Sequence, residues 1–191
     1  MLIRAILVMA CASVALAQDP MRDALTLGHT RDQSLFDSFN RGYAIGVSGT
    51  IDSAEVITEF RRAVLLVRER DNLGDYIQDT RSLTNALAPF AGLVTFVVQV
   101  RMNPLNTFAK PPGYELYVST GPTTKAIGPK PFQREAMYPL GGAPGSAMVD
   151  VRLTGSFPRA DIESASRPEL VVTDDKADVL WSTRIDLSRY R

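Results

Sequence analysis

Val94, Phe96, Val98, Val100 and Met102 alternate with Thr95, Val97, Gln99 and Arg101. This period of two is the clearest structural signal in the chain and reads as a β-strand with one apolar face. A single strand leaves its backbone groups and its apolar face unsatisfied, so the chain must build a sheet and cover one side of it. Asn103-Pro104 ends the strand.

Nothing but packing is available to hold that sheet together. Met1–Arg4 carries one positive charge, Ala5–Val14 is apolar apart from Ser13, and Ala15-Leu16-Ala17 offers the small residues a signal peptidase reads. These are the three parts of a secretory signal peptide, expected to be cleaved after Ala17. The apolar run is too short to span a bilayer, which takes about 20 residues, and Arg61, Arg62, Arg68 and Arg101 interrupt the later candidates. Val8-Met9-Ala10-Cys11 loosely resembles a lipobox, so lipid anchoring at Cys11 is the alternative to simple cleavage. Cys11 is the only cysteine, and residues 18–191 contain none. The processed chain therefore has no disulfide and no thiol chemistry, despite an extracytoplasmic address, periplasmic or secreted. Without Arg4 the charge is 20 basic against 21 acidic groups, from 21 of each in the full chain. That near balance lacks the footprint of a nucleic-acid binder.

Along the chain, residues 18–38 show no clear period and read as a partly ordered leader. Phe39–Gly49 reads as a strand, with Tyr43, Ile45 and Val47 alternating with small residues. A long helix is expected next, capped by Asp52 or Ser53 with Glu55 completing a capping box, and carrying Val56, Ile57, Phe60, Ala63, Val64 and Val67 on its apolar face. A shorter helix runs from Arg81 or Ser82 to Leu87. Strands follow around Tyr114–Val118, Val149–Leu153, Glu169–Thr173 and Val179–Leu187. Residues 121–146, with five prolines and five glycines, form a long irregular crossing with a short strand near Gln133–Tyr138. The fold class is α+β: a predominantly antiparallel sheet or sandwich, with one long and one short helix inserted after the first strand, in a single domain over residues 39–191.

Chemistry-bearing motifs are scarce. His29 is the only histidine, so a zinc site or a His-based catalytic device has little to build on. Gly46-Val47-Ser48-Gly49-Thr50 misses the nucleophile elbow by one position. Gly141-Gly142-Ala143-Pro144-Gly145 lacks the spacing and lysine of a phosphate loop and reads as a surface loop. Asp174, Asp175 and Asp178 read as a solvated hairpin turn, with calcium as the rival reading. No cofactor and no metal are expected. Two features remain as candidate contacts. Arg61 and Arg62 lie on the charged side of the long helix, suited to an anion or a partner's carboxylate, with salt bridges to Glu55 or Glu59 as the structural alternative. Asn103 and Asn106 shape a loop beside Tyr114 and Tyr117, where tyrosines line a groove or cap a sheet edge.

The runs Thr58–Leu66 (TEFRRAVLL) and Asn103–Asn106 (NPLN), with the two-helix segment between them, resemble uncharacterised exported bacterial proteins. The resemblance implies a bacterial source and an extracytoplasmic domain, and brings no active site. Together these readings favour a non-enzymatic module that binds a protein, peptide or cell-envelope ligand through a sheet edge or long loop. A carboxylate-dependent hydrolase acting on glycans and a structural subunit of an envelope assembly are the alternatives. N-terminal sequencing of the exported chain should begin at Gln18; a lipid-blocked N-terminus would place processing at Cys11 instead.

Overall fold

The strand that dominates the sequence, β2 (Leu93–Arg101), lies inside a four-stranded sheet in the computed structural model, which describes residues 19–121, 126–141 and 146–191. The signal-peptide and Cys11 readings lie outside the described residues. β2 pairs antiparallel with β1 (Ile51–Ile57) on one side and β5 (Asp150–Pro158) on the other, and β4 (Phe132–Met137) closes the far edge. A second antiparallel sheet has the order β3 (Glu115–Ser119), β6 (Glu169–Thr173), β7 (Val179–Arg184). Five α-helices complete an α+β fold.

Register explains which side is covered. Val98 faces Leu153, Val100 faces Val151 and Val94 faces Phe157, while Val56 pairs with Phe96 and Ala54 with Val98. This face joins Leu116, Val118, Leu170, Val172 and Trp181 of the second sheet in one buried cluster. Phe96 and Phe157 meet edge-on at 5.7 Å and 64°. Each large apolar side chain removed from water there contributes about 1.5–3 kcal/mol. Gly155 lets the sheets approach: a Cβ at that position would lie 2.9 Å from Pro129 and 3.0 Å from Leu116.

Three segments differ from the sequence reading. Residues 51–57 are strand, and the long helix α3 (Glu59–Asn72) begins later, capped by Thr58, whose side chain accepts from the Arg61 amide. Asp52, Ser53 and Glu55 make a plausible capping box locally. Ile51, Val56 and Ile57 are β-branched, however, and the open edge of β2 supplies the ladder that keeps them extended. The run Phe39–Gly49 is not a strand either. Its first residues end helix α2 (Gln33–Arg41), and only residues 43–45 lie along the β1 edge, through Ile45 N–H to Ala54 O and Val56 N–H to Tyr43 O. The segment read as a leader holds two helices, α1 (Pro20–Gly28) and α2, capped by the side chains of Asp19 and Asp32.

Of the remaining helices, α4 (Thr80–Leu87) is the short one the pattern predicts, and α5 (Arg159–Glu163), which follows β5, is a further helix outside that reading. Helices α1, α3 and α4 form a second core of Ala24, Leu25, Phe60, Ala63, Val64, Val67, Leu83 and Leu87. Gly28 makes that packing close, because a Cβ there would lie 2.5 Å from Val67 Cβ. Gly28→Ala should therefore destabilise the protein by about 1–3 kcal/mol through overpacking; a denaturation midpoint equal to wild type would refute this close approach.

Candidate functional site

The only histidine offers the first place to look for chemistry. His29 Nδ1 lies 2.7 Å from Asp71 Oδ2, and Nε2 lies 3.0 Å from Ile77 O. A general base needs one ring nitrogen free to face a substrate proton; here both are occupied by protein groups. Arg68, whose guanidinium lies over Phe36, donates to Thr30 O and Gln33 Oε1 and closes the same region. The adjoining hollow of about 290 Å³ is lined by His29, Arg31, Arg68, Asp71 and Tyr76 among others. The His–Asp pair thus acts as a clamp between the end of α1 and the end of α3.

The outer face of the four-stranded sheet is polar. Ser53, Glu55, Val97, Gln99, Glu135, Arg152 and Thr154 line a furrow of about 380 Å³. Its two carboxylates are each ion-paired, Glu55 with Arg61 at 2.5 Å and Glu135 with Arg152 at 3.6 Å. Glycoside hydrolysis needs one carboxyl kept protonated by an apolar, desolvated setting. The Glu135 side chain is 65 % exposed and the Glu55 side chain 39 %. Among the described residues, no group of three or more histidine, cysteine or acidic side chains gathers to hold a metal. In the 174–178 turn, Asp174 Oδ1 accepts from the amides of Lys176 and Asp178, the hydrogen bonding of a hairpin turn.

The two arginines singled out in the sequence go to different surroundings. Arg61 is buried. Its guanidinium donates to Val56 O at 2.7 Å, Glu55 Oε2 at 2.5 Å and Asn40 Oδ1 at 3.4 Å, and lies 5.1 Å from the centre of the Tyr43 ring. These contacts tie α2, β1 and α3 together and leave no donor facing solvent; its Nε is buried without a partner. Arg62 is half-buried, stacks 4.1 Å over Phe90 and donates to Thr95 Oγ1 at 2.5 Å. It has no carboxylate within ion-pair distance among the described residues, and burial lowers its pKa.

Asn103, Asn106 and Tyr114 lie together at one end of the two sheets. Asn103 Oδ1 accepts from Leu105 N–H, and Asn106 Nδ2 donates to Asn103 O and to Met148 O at 2.8 Å. Both asparagines thus shape the 103–108 loop and fasten it to the segment that enters β5. Tyr114 Oη is 3.6 Å from Met102 Sδ, and burial, then the charges of Asp174 and Asp175, raise its pKa. Tyr117 lies on the opposite face of β3, paired with Val171, so the two tyrosines do not share a groove.

This end exposes four large apolar side chains. Leu105 is 88 % exposed, Leu140 is fully exposed, and Phe108 and Tyr138 are more than half exposed. They stand on two connections, after β2 and after β4, that meet through the Asn106–Met148 bond and the Val149 N–H to Met137 O bond. Scattered exposed leucines are ordinary, but several gathered on one end mark an interaction surface. The sequence reading found the asparagine loop and missed Leu105, Phe108, Tyr138 and Leu140. Their flanking prolines and glycines signalled exposed loops, and large apolar residues at such tips were the clue available.

No protein-family model, curated protein or solved structure matches the chain.

Replacing Arg61 with alanine should cost about 3 kcal/mol, since it strands its partners in α2 and β1. Arg62→Ala should cost less than half as much. Equal losses in chemical denaturation would show that Arg61 is not the structural member of the pair.

Proposed function

We propose that the protein is an exported, non-enzymatic binding module that holds a protein, peptide or cell-envelope ligand against the loop end of its sheets. The observation that carries this reading is the gathering of Leu105, Phe108, Tyr138 and Leu140 on that end, exposed and mutually unburied. A folded chain gains stability by burying such side chains, so their exposure on a fixed scaffold is explained by a surface that completes itself on a partner. The scaffold is suited to the task. The loops are rooted in strands whose register is fixed over long ladders, and Asn103 and Asn106 hold the first loop by side-chain bonds. A rigid base lowers the ordering cost of binding.

Sheet edges offer a second mode of attachment. The β1 edge is partly covered by residues 43–45 and the β3 edge by Ile127. β4 and β7 are the outermost strands of their sheets, and Arg134 and Glu135 on β4 are the kind of charges that guard an edge against strand addition. Export rests on the N-terminal sequence pattern. Among the described residues no helix is long and apolar enough to cross a membrane.

Residues 18–191 bearing Leu105→Ser and Leu140→Ser should lose about tenfold of any partner enriched by the wild-type chain from envelope extract. Leu73→Ser, at another exposed site on the helical layer, should retain it. Equal recovery by all three proteins, each confirmed folded by circular dichroism, would dismiss the loop end as the binding surface.

A further inference from the structure

The charges around the apolar end say what kind of partner fits it. Asp52 and Arg101 form an ion pair there. Asp150, at the start of β5, lies within range of both, and burial followed by Asp52 raises its carboxyl pKa. The β6–β7 turn brings Asp174, Asp175 and Asp178 to the same end: the Asp175 Cβ lies 3.2 Å from a Cβ built on Gly113, at the base of the loop that carries Phe108. Lys176 lies in the same turn and Lys110 on the loop that carries Phe108, and Arg134 donates to Tyr114 O at 2.5 Å, next to Glu115 at the start of β3. With Asp52 paired to Arg101, four aspartates and Glu115 remain against Lys110, Lys176 and Arg134 among the described residues of this end. The apolar knob therefore carries an acidic rim.

We infer that the loop end takes a basic, apolar polypeptide segment: leucine-like side chains seated on Leu105, Phe108, Tyr138 and Leu140, and lysine or arginine set against Asp150, Asp175 and Asp178. Electrostatic complementarity selects among partners that share the same apolar contact. An anionic membrane presents charge of the same sign as the rim and is disfavoured. A second copy of this chain opposes acid to acid at the same end and is disfavoured likewise. The inference rests on the loop-end reading above and adds the partner's charge.

The test uses two labelled peptides, one alternating leucine with lysine and one alternating leucine with glutamate, followed by fluorescence anisotropy against residues 18–191. The lysine peptide should bind at least about tenfold more tightly than the glutamate peptide, and high salt should narrow the gap. Asp175→Asn with Asp178→Asn should narrow it about fivefold while leaving the turn intact, because Asp174 supplies the turn's side-chain bonds. Leu105→Ser with Leu140→Ser should weaken both peptides. If the leucine changes weaken binding but the two peptides bind alike, the basic-partner inference fails and the loop-end reading stands. If the leucine changes have no effect, the loop end itself is the wrong surface. Neither peptide binding, equal pelleting with phosphatidylglycerol vesicles, or dimerisation abolished by the leucine changes would each overturn the inference.

Discussion

The two halves of this protein are joined by one buried cation. The sheets bury their side chains in one cluster and the helices α1, α3 and α4 in another. Arg61 stands at the junction, with its guanidinium on the β1 backbone, the Glu55 carboxylate and the Asn40 amide at once. A buried guanidinium is tolerated only when most of its donors are met, so its contacts fix where α3 begins relative to β1. Phe39 packs against both clusters and meets Tyr43 at 5.0 Å and Phe60 at 6.1 Å, which gives the same junction an apolar side. The C-terminal residues complete it: Tyr190 stacks on Tyr43, Arg191 lies over Phe60 and reaches Asp23, and Arg191 O accepts from Thr58.

That joint leaves the other end of the sheets free for a different use. Helices gather where β1 ends and α3 begins, while the connections after β2 and β4 and the β6–β7 turn lie where β5 begins. A scaffold braced at one end and decorated with loops at the other places variable, exposed residues on a rigid base. The polar furrow and the His29 clamp fit that division. Their charged groups are largely paired within the protein, whereas Leu105, Phe108, Tyr138 and Leu140 of the loop end stay exposed among the described residues.

Legibility followed the range of the interactions. The strand β2 was evident because alternation is local and its inward residues are all apolar. Helix α1 is stabilised chiefly by packing on α3, a partner more than 30 positions away, rather than by its own pattern. Residues 53–57 are strand although Asp52, Ser53 and Glu55 resemble local helix caps, because the ladder that holds them extended comes from β2, 38 or more positions away. Arg61 and Arg62 are adjacent and chemically identical in the sequence, yet one is a buried tie and the other half-exposed. Their separation depends on which way the first turn of α3 faces β1.

By itself the sequence determined composition and period: an α+β chain with antiparallel strands, an expected export signal, a lone histidine, and no cysteine beyond residue 11. These follow from residue chemistry and from repeats of two or about 3.6 positions, which need no partner to be read. Tertiary structure decided which strands are neighbours, which arginine is buried, and that Leu105, Phe108, Tyr138 and Leu140 share one end with an acidic turn from far along the chain. Those are facts of long-range pairing, set by which apolar faces can be buried together, and no local period encodes them.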